Sequence, residues 1–346
     1  MKYSKVHITA LGYELAPVVV TSSELETRLE PLYKALRFAP GQLQALTGIR
    51  ERRWWEPGYP LSRGAASAGK KALESAGVTP QDIGALIYTG VCREQFEPAT
   101  ACRVAANLGI GGDAAIFDIS NACLGVLNGI LEVANRIELG QIRAGLVVSC
   151  ESAREINDIM IDRMLAEKSM EQFASSIATL TGGSGAVAVL LTDGSFAGSG
   201  HQLLGGITKA APEHHGLCLW GVTPDGNGRY VQKMATDAVN VMNFGVELGR
   251  RTWAAFLPEL GWGAGEVDRV VCHQVGSAHQ SAILKTLGIP AGKDFTTFEY
   301  LGNMGTVSLP LTLAIAAERE EIMHGEKVAL LGIGSGLNCL MLGVQW

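Results

Sequence analysis

The stretch Asp82-Ile-Gly-Ala-Leu-Ile-Tyr88 starts a short apolar strand, and the helical pattern that follows closes on Leu108-Gly-Ile110. The same succession returns later. Asp268-Arg-Val-Val-Cys-His273 starts a second strand, and its helix closes on Leu287-Gly-Ile289, 179 residues after the first landmark (287 − 108) and about half of the 346-residue chain. Each landmark precedes a short strand, a small-residue turn, a helix, a glycine and another strand. In the first half these are Phe117–Asn121, the Leu124–Leu139 helix, Gly140 and Gly145–Ser149; in the second they are Phe295–Gly302, the Ser308–His324 helix, Gly325 and Val328–Leu331. One unit used twice predicts two similar halves about a pseudo-dyad, residues 1–198 and 199–346, parted near the Gly/Ser-rich Asp193–Gly200.

The candidate strands Ala85–Thr89, Gly145–Ser149, Ala186–Leu191, Arg269–Cys272 and Val328–Leu331 are almost continuously apolar. Such strands are covered on both faces, which predicts a mainly parallel, buried sheet in an α/β protein. Composition agrees: 47% of residues are hydrophobic and 18% charged, enough apolar matter for a large core. A net charge of −6 argues against nucleic acid or an anionic membrane as partner. No apolar run approaches the ~18 residues that span a bilayer. The start, Met1 to Gly12, reads as a first strand rather than a signal peptide. Seven scattered cysteines make a disulfide framework a poor fit and a reducing cytoplasm the expected setting.

Three motifs carry chemistry. Asp118-Ile-Ser-Asn-Ala-Cys-Leu-Gly-Val-Leu-Asn-Gly-Ile130 places Cys123 after a strand and at the first turn of an apolar helix. Free N–H groups and the positive end of the helix dipole there favour a thiolate, reactive near neutral pH. Taken alone, the residue reads equally as a small buried hydrophobe. Val270-Val-Cys-His-Gln-Val-Gly-Ser-Ala-His279 sets His273 at the carboxyl edge of a buried strand, where ligands collect in α/β sheets. Tyr300-Leu-Gly-Asn-Met-Gly-Thr-Val-Ser-Leu-Pro310 sets Asn303 between glycines, at the turn that the repeat makes equivalent to that of Cys123. Together they supply a nucleophile, a proton shuttle and a donor to a carbonyl oxygen, the set needed for thiol-based acyl transfer.

The Asn121-Ala-Cys-Leu-Gly turn, His273-Gln274, Gly302-Asn-Met-Gly305 and Leu331-Gly-Ile-Gly-Ser-Gly-Leu-Asn338 resemble, in order and over essentially the whole chain, the thiolase superfamily. The resemblance is to the type III ketoacyl-ACP synthases and above all to their head-to-head acyl-CoA condensing relatives, the OleA branch. It implies a five-layered αβαβα fold, a homodimer, and no cofactor, with CoA thioesters as substrates. It implies that Cys123 takes an acyl group, that His273 and Asn303 polarise the second thioester, and that the backbone N–H groups of Cys123 and Ser335 form the oxyanion hole.

Three positions separate the branches. Arg93-Glu-Gln-Phe-Glu-Pro-Ala-Thr100 puts Glu97 where ordinary synthases resemble Phe-Pro. In the OleA branch that glutamate reaches across the dimer as base at the second substrate's α-carbon; the plain reading is a solvated loop glutamate. A base is required only when no carboxylate departs, because decarboxylation of a malonyl group generates the carbanion by itself. Ala278 stands where many synthases carry an arginine for the acidic carrier protein. Gln42 and Leu46 stand where they carry an adenine-stacking tryptophan and its arginine partner, whereas Thr47-Gly-Ile-Arg-Glu-Arg-Arg-Trp54 fits the family. The expectation is therefore non-decarboxylative condensation of two fatty acyl-CoA molecules to a 2-alkyl-3-ketoacyl thioester. Decarboxylative synthesis from acyl-CoA and malonyl-ACP, with an acyl carrier protein as partner (Arg250-Arg251 being a candidate contact), and thioester hydrolysis are the alternatives.

Other signals fall short. Gly332-Ile-Gly-Ser-Gly336 has too little chain after it for a dinucleotide site. Gly182-Gly-Ser-Gly-Ala186 ends in alanine where the hydrolase elbow needs glycine. His214-His215 with Cys218 lacks a second ligand pair for zinc and reads as a surface loop. Ile156–Leu180, with Met160, Met164 and Met170, reads as a helical excursion whose methionines fill gaps or line an alkyl channel.

Overall fold

The computed structural model describes residues 1–196, 200–225 and 227–346. It opens with β1 (His7–Leu15) and a small excursion: β2 (Val18–Thr21), the helices α1 (Ser22–Arg28), α2 (Glu30–Leu36) and α3 (Gln42–Thr47), and β3 (Glu51–Trp54), which pairs with β2. The first half continues with α4 (Leu61–Ala76), β4 (Ala85–Tyr88), α5 (Thr100–Leu108), β5 (Ala115–Asp118), α6 (Gly125–Glu138), β6 (Ala144–Glu151), α7 (Arg154–Glu167), α8 (Met170–Leu180) and β7 (Gly185–Thr192). The second half comprises β8 (His201–Ala210), the hairpin β9 (Cys218–Pro224) and β10 (Tyr230–Thr236), then α9 (Ala238–Leu260), β11 (Arg269–Cys272) and α10 (Ser277–Leu287). It ends with α11 (Phe298–Leu301), α12 (Ser308–Glu318), β12 (Lys327–Gly334) and β13 (Asn338–Gln345).

Nine strands form one sheet in the order β11-β12-β13-β8-β1-β7-β6-β4-β5. Leaving the β2–β3 and β9–β10 excursions aside, the first half reads 3-2-4-5-1 from its outer edge and the second reads 2-4-5-1. The missing third strand of the second half survives as one parallel bridge between Val270 and Asp294, with the Phe295 N–H reaching the Val270 carbonyl at 3.4 Å. The halves join where His7 and Ile8 of β1 pair with Gln202 and His201 of β8. The repeat landmarks are helix ends: Gly109 and Gly288 take left-handed backbone angles (φ 71° and 69°) after α5 and α10, conformations that side chains disfavour.

Helices α4 and α5 cover the outer face of the first half through Ala68, Val104 and the sheet residues Leu86 and Val148. Helices α6 and α12 lie between the halves and share one core with Val147 and Val189 on one side and Val328 and Leu340 on the other. Helices α9 and α10 cover the far face through Phe256 and Ile283 against Val270 and Met341. The result is five layers, α-β-α-β-α. Every residue from Ser308 to Ala316 in α12 is buried, as a helix with sheet on both sides requires.

Two expectations are corrected and a third is decided between its alternatives. The sheet is mixed: only β4–β5, β4–β6 and β11–β12 are parallel, and the remaining pairs are antiparallel. Continuous apolarity reported helices on both faces and carried no information on strand direction. Phe295–Gly302 forms no strand, because Gln274 Oε1 takes the N–H groups of Thr297 and Phe298 (2.9 and 3.2 Å) and draws the chain into α11. The Ile156–Leu180 excursion is indeed helical, yet Met160 and Met164 are sealed in the core and Met170 is exposed, so none lines a channel. The expected division between residues 198 and 199 lies outside the described residues. No described helix is long and apolar enough to cross a membrane.

Candidate active site

Cys123 lies on a tight turn between β5 and α6. The N–H groups of Leu124 and Gly125 fold back onto the carbonyls of Asn121 and Ala122 (2.9 and 3.3 Å), and Ala122 is forced to φ 44°, a strained value for a residue with a side chain. Gly125 is required here: a Cβ on it would stand 2.2 Å from the Thr89 carbonyl oxygen. The turn is tied to the other half twice. Thr306 Oγ1 accepts the Val126 N–H at 2.7 Å, and Asn338 Nδ2 donates to Asn121 Oδ1 at 3.2 Å.

The Gly-rich loop after β12 presses on the same turn. A Cβ on Gly334 would lie 3.3 Å from the Cys123 nitrogen, and one on Gly332 would lie 2.5 Å from Leu127 Cδ1. Ser335 follows immediately and is half-buried.

His273 is reached directly from β11, its N–H held by the Leu331 carbonyl at 3.0 Å. Its imidazole is buried and Nδ1 has no partner within the protein. Burial, with His279 alongside, pushes its pKa down to about 3, so the ring is neutral. Gln274 fixes the turn that follows, donating to the Cys272 carbonyl at 2.7 Å. Asn303 is anchored by its backbone to Thr181 and Gly183 (2.9 Å each). Its Oδ1 accepts the Gly305 N–H at 3.0 Å, which leaves Nδ2 as the donor toward the cavity.

Two cavities meet at these residues. One, of about 250 Å³, is mostly apolar and runs from His273, Asn303 and Ser335 to the exposed Leu46, Ala238 and Ala278. The other, of about 330 Å³, is lined by Ala122, Glu151, Trp220, Asn303 and Ser335. Asn303, Ser335, Cys218 and Met234 belong to both walls. Cys123 itself lines neither cavity; its neighbour Ala122 lines the second, and its backbone nitrogen lies against Gly334, which lines the first.

One expectation is corrected here. The Cys123 thiol is pushed up to about 12 by burial, with Cys218 and Glu151 adding to the effect. Burial outweighs the helix mouth and favours the thiol. Glu97 is exposed, lines neither cavity of its own chain, and follows Phe96, which is 98% exposed.

Sequence reasoning missed Glu151, Cys218 and His279. Cys218, read as part of a surface loop, opens β9 on the shared wall, and nothing in its local sequence announces that. His279 lies on α10 and lines the apolar cavity beside His273, with Nδ1 unpartnered. Its six-residue spacing from His273 was legible and went unused. Among the described residues no cluster of three His, Cys, Asp or Glu side chains could hold a metal.

The N-terminal thiolase domain matches residues 61–192, and the C-terminal domain of 3-oxoacyl-[acyl-carrier-protein] synthase III matches residues 257–346. The chain is 58% identical to the acyl-CoA:acyl-CoA alkyltransferase of Shewanella oneidensis and 36% identical to that of Xanthomonas campestris, with all of both chains covered in each case. A crystal structure of Xanthomonas campestris OleA with bound lauric acid and lauroyl-CoA superposes with a TM-score of 0.94 at 35% identity, covering 99% of this chain and 100% of that one. Other structures of that enzyme carry substitutions of one cysteine, one glutamate and one histidine. Fold, coverage and identity together place this chain in the thiolase-like condensing enzymes, as a member of the acyl-CoA:acyl-CoA alkyltransferase family.

Proposed function

We propose that the enzyme joins two fatty acyl-CoA molecules head to head by a non-decarboxylative Claisen condensation. Cys123 Sγ attacks the first thioester carbonyl, the oxyanion rests on the N–H groups of Cys123 and Ser335, and CoA leaves as the thiol, carrying away the proton of Cys123. The second acyl-CoA then loses an α-proton to Glu97. Its enolate oxygen accepts hydrogen bonds from neutral His273 and from Asn303 Nδ2. The α-carbon attacks the acyl-Cys123 carbonyl, the carbon–sulfur bond breaks, and the departing sulfur is reprotonated. The product is a 2-alkyl-3-ketoacyl-CoA.

The observation that carries this reading is a pair of cavities that share Asn303 and Ser335, with His273 on the wall of one and Ala122, the neighbour of the nucleophile, on the wall of the other. Two cavities suit two acyl chains. An imidazole kept neutral by burial is a hydrogen-bond donor throughout the working pH range. In the proposed assembly the enzyme is a homodimer, and the exposed Phe96-Glu97 arm serves the partner's cavity. The described cysteines are all free, which fits a reducing cytoplasm.

Supplying purified enzyme with acyl-CoA alone tests the reaction. Coupled 2-alkyl-3-ketoacyl product, or the ketone it yields on hydrolysis and loss of carbon dioxide, is expected. Strict dependence on malonyl-ACP identifies the decarboxylative reaction instead, and free acid with no coupled product identifies a hydrolase.

A further inference from the structure

Glu151 ends β6 inside the protein, 4% exposed. Its carboxylate accepts the N–H of Val91 at 2.8 Å and of Cys92 at 2.9 Å. These residues are the root of the arm that ends in Glu97. The root is braced again by Tyr88, whose hydroxyl donates to the carbonyls of Cys92 (2.7 Å) and Cys150 (2.8 Å), and the Glu151 carbonyl is held by Trp55 Nε1 at 3.0 Å. On its other side the carboxylate abuts the Asn303 turn: a Cβ on Gly305 would stand 3.4 Å from Glu151 Oε1. Glu151 also lines the cavity shared with Asn303 and Ser335. The titratable groups around it are Tyr88, Cys92, Cys150 and Cys123, none of them cationic. A buried carboxylate without a cation costs free energy, and its backbone donors Val91, Cys92 and Thr306 offset only part of that. Burial accordingly raises its pKa. No core-packing need is met by an acid at this position.

We propose that Glu151 is a positioning residue for the condensation, holding the root of the Glu97 arm and the Asn303 turn in register with the Cys123 thiol. The inference rests on the condensation proposed above. The carboxylate touches no reacting atom. It acts by fixing two loops of different halves. Acylation of Cys123 needs the oxyanion donors alone, whereas carbon–carbon bond formation needs the Glu97 arm and Asn303 as well. Loss of Glu151 therefore weighs on the second step.

The test compares wild type with E151Q and E151D in three measurements: acyl-enzyme formation from acyl-CoA by intact mass, condensation, and thermal unfolding. Condensation falls in both by about tenfold or more while acyl-enzyme formation falls less, because Gln presents an NH2 group to one of the two backbone N–H donors and Asp is too short to reach both loops. Wild-type condensation in both variants overturns the proposal. Equal losses in both steps accompanied by early thermal unfolding also overturn it, showing a structural role only. Failure of the condensation reading itself is distinct, since it appears in the wild type as absence of coupled product.

Discussion

The Val126 N–H of α6 donates to Thr306 Oγ1 at 2.7 Å, so the helix that begins at the nucleophile is capped by a residue 180 positions away in the other half. The first residues of α6 supply no side-chain cap of their own. Thr306→Val keeps the shape and removes the acceptor, and should cost about 1 kcal/mol of stability. Urea denaturation checks the stability, and the rate of acyl-enzyme formation, which should also fall, checks the placement of Cys123.

Close approach of β12 to α6 sets the proposed oxyanion site. Gly334→Ala should leave the protein folded and slow acylation of Cys123, because the new methyl group faces its nitrogen at 3.3 Å. Gly332→Ala meets Leu127 and Leu124 side chains at 2.5 and 2.7 Å and should instead cost roughly 1–3 kcal/mol of stability through overpacking. Thermal melts and single-turnover acylation separate the two outcomes.

Gln274 satisfies three backbone groups around His273: the Cys272 carbonyl and the N–H groups of Thr297 and Phe298. Gln274→Leu leaves them unpaired in the interior and should cost roughly 1–3 kcal/mol. Coupled-product formation should decline more than acyl-enzyme formation, since only the second step uses His273.

Acid weakens the fold by a route that the buried histidines define. His273 is depressed to about 3 and His201 and His279 to about 4, each chiefly by burial. The unfolded chain takes up protons at these sites from about pH 6.5 downward while the folded chain does not. Stability should be insensitive to these groups above that value and should fall as pH drops toward 4. Denaturation midpoints measured from neutral to acid pH check this, and His201→Asn should shallow the slope without touching the active site.

The repeat was legible because Leu108-Gly-Ile110 and Leu287-Gly-Ile289 encode a physical need, a left-handed helix end, that few residues meet. Cys123, His273 and Asn303 were legible because each follows such punctuation at an edge where chains turn. Strand direction was not, since apolar runs such as Ala186–Leu191 record burial alone. The third strand of the second half was lost because one distant side chain, Gln274, diverts two amides that a strand would have used. The thiol state of Cys123 escaped for a related reason: a helix mouth is visible in sequence, but the depth of the cavity and the neighbours Cys218 and Glu151 are tertiary. Glu151 itself, between Cys150 and Ser152, carries no local sign of its partners at 91 and 92.

Intact-protein mass measurement after exposure to a fatty acyl-CoA tests the central claim most directly. The account predicts a mass gain of one acyl group in the wild type, absent from Cys123→Ala and mapped to Cys123 by peptide analysis. An acyl group found on another residue, or retained in full by Cys123→Ala, would contradict it.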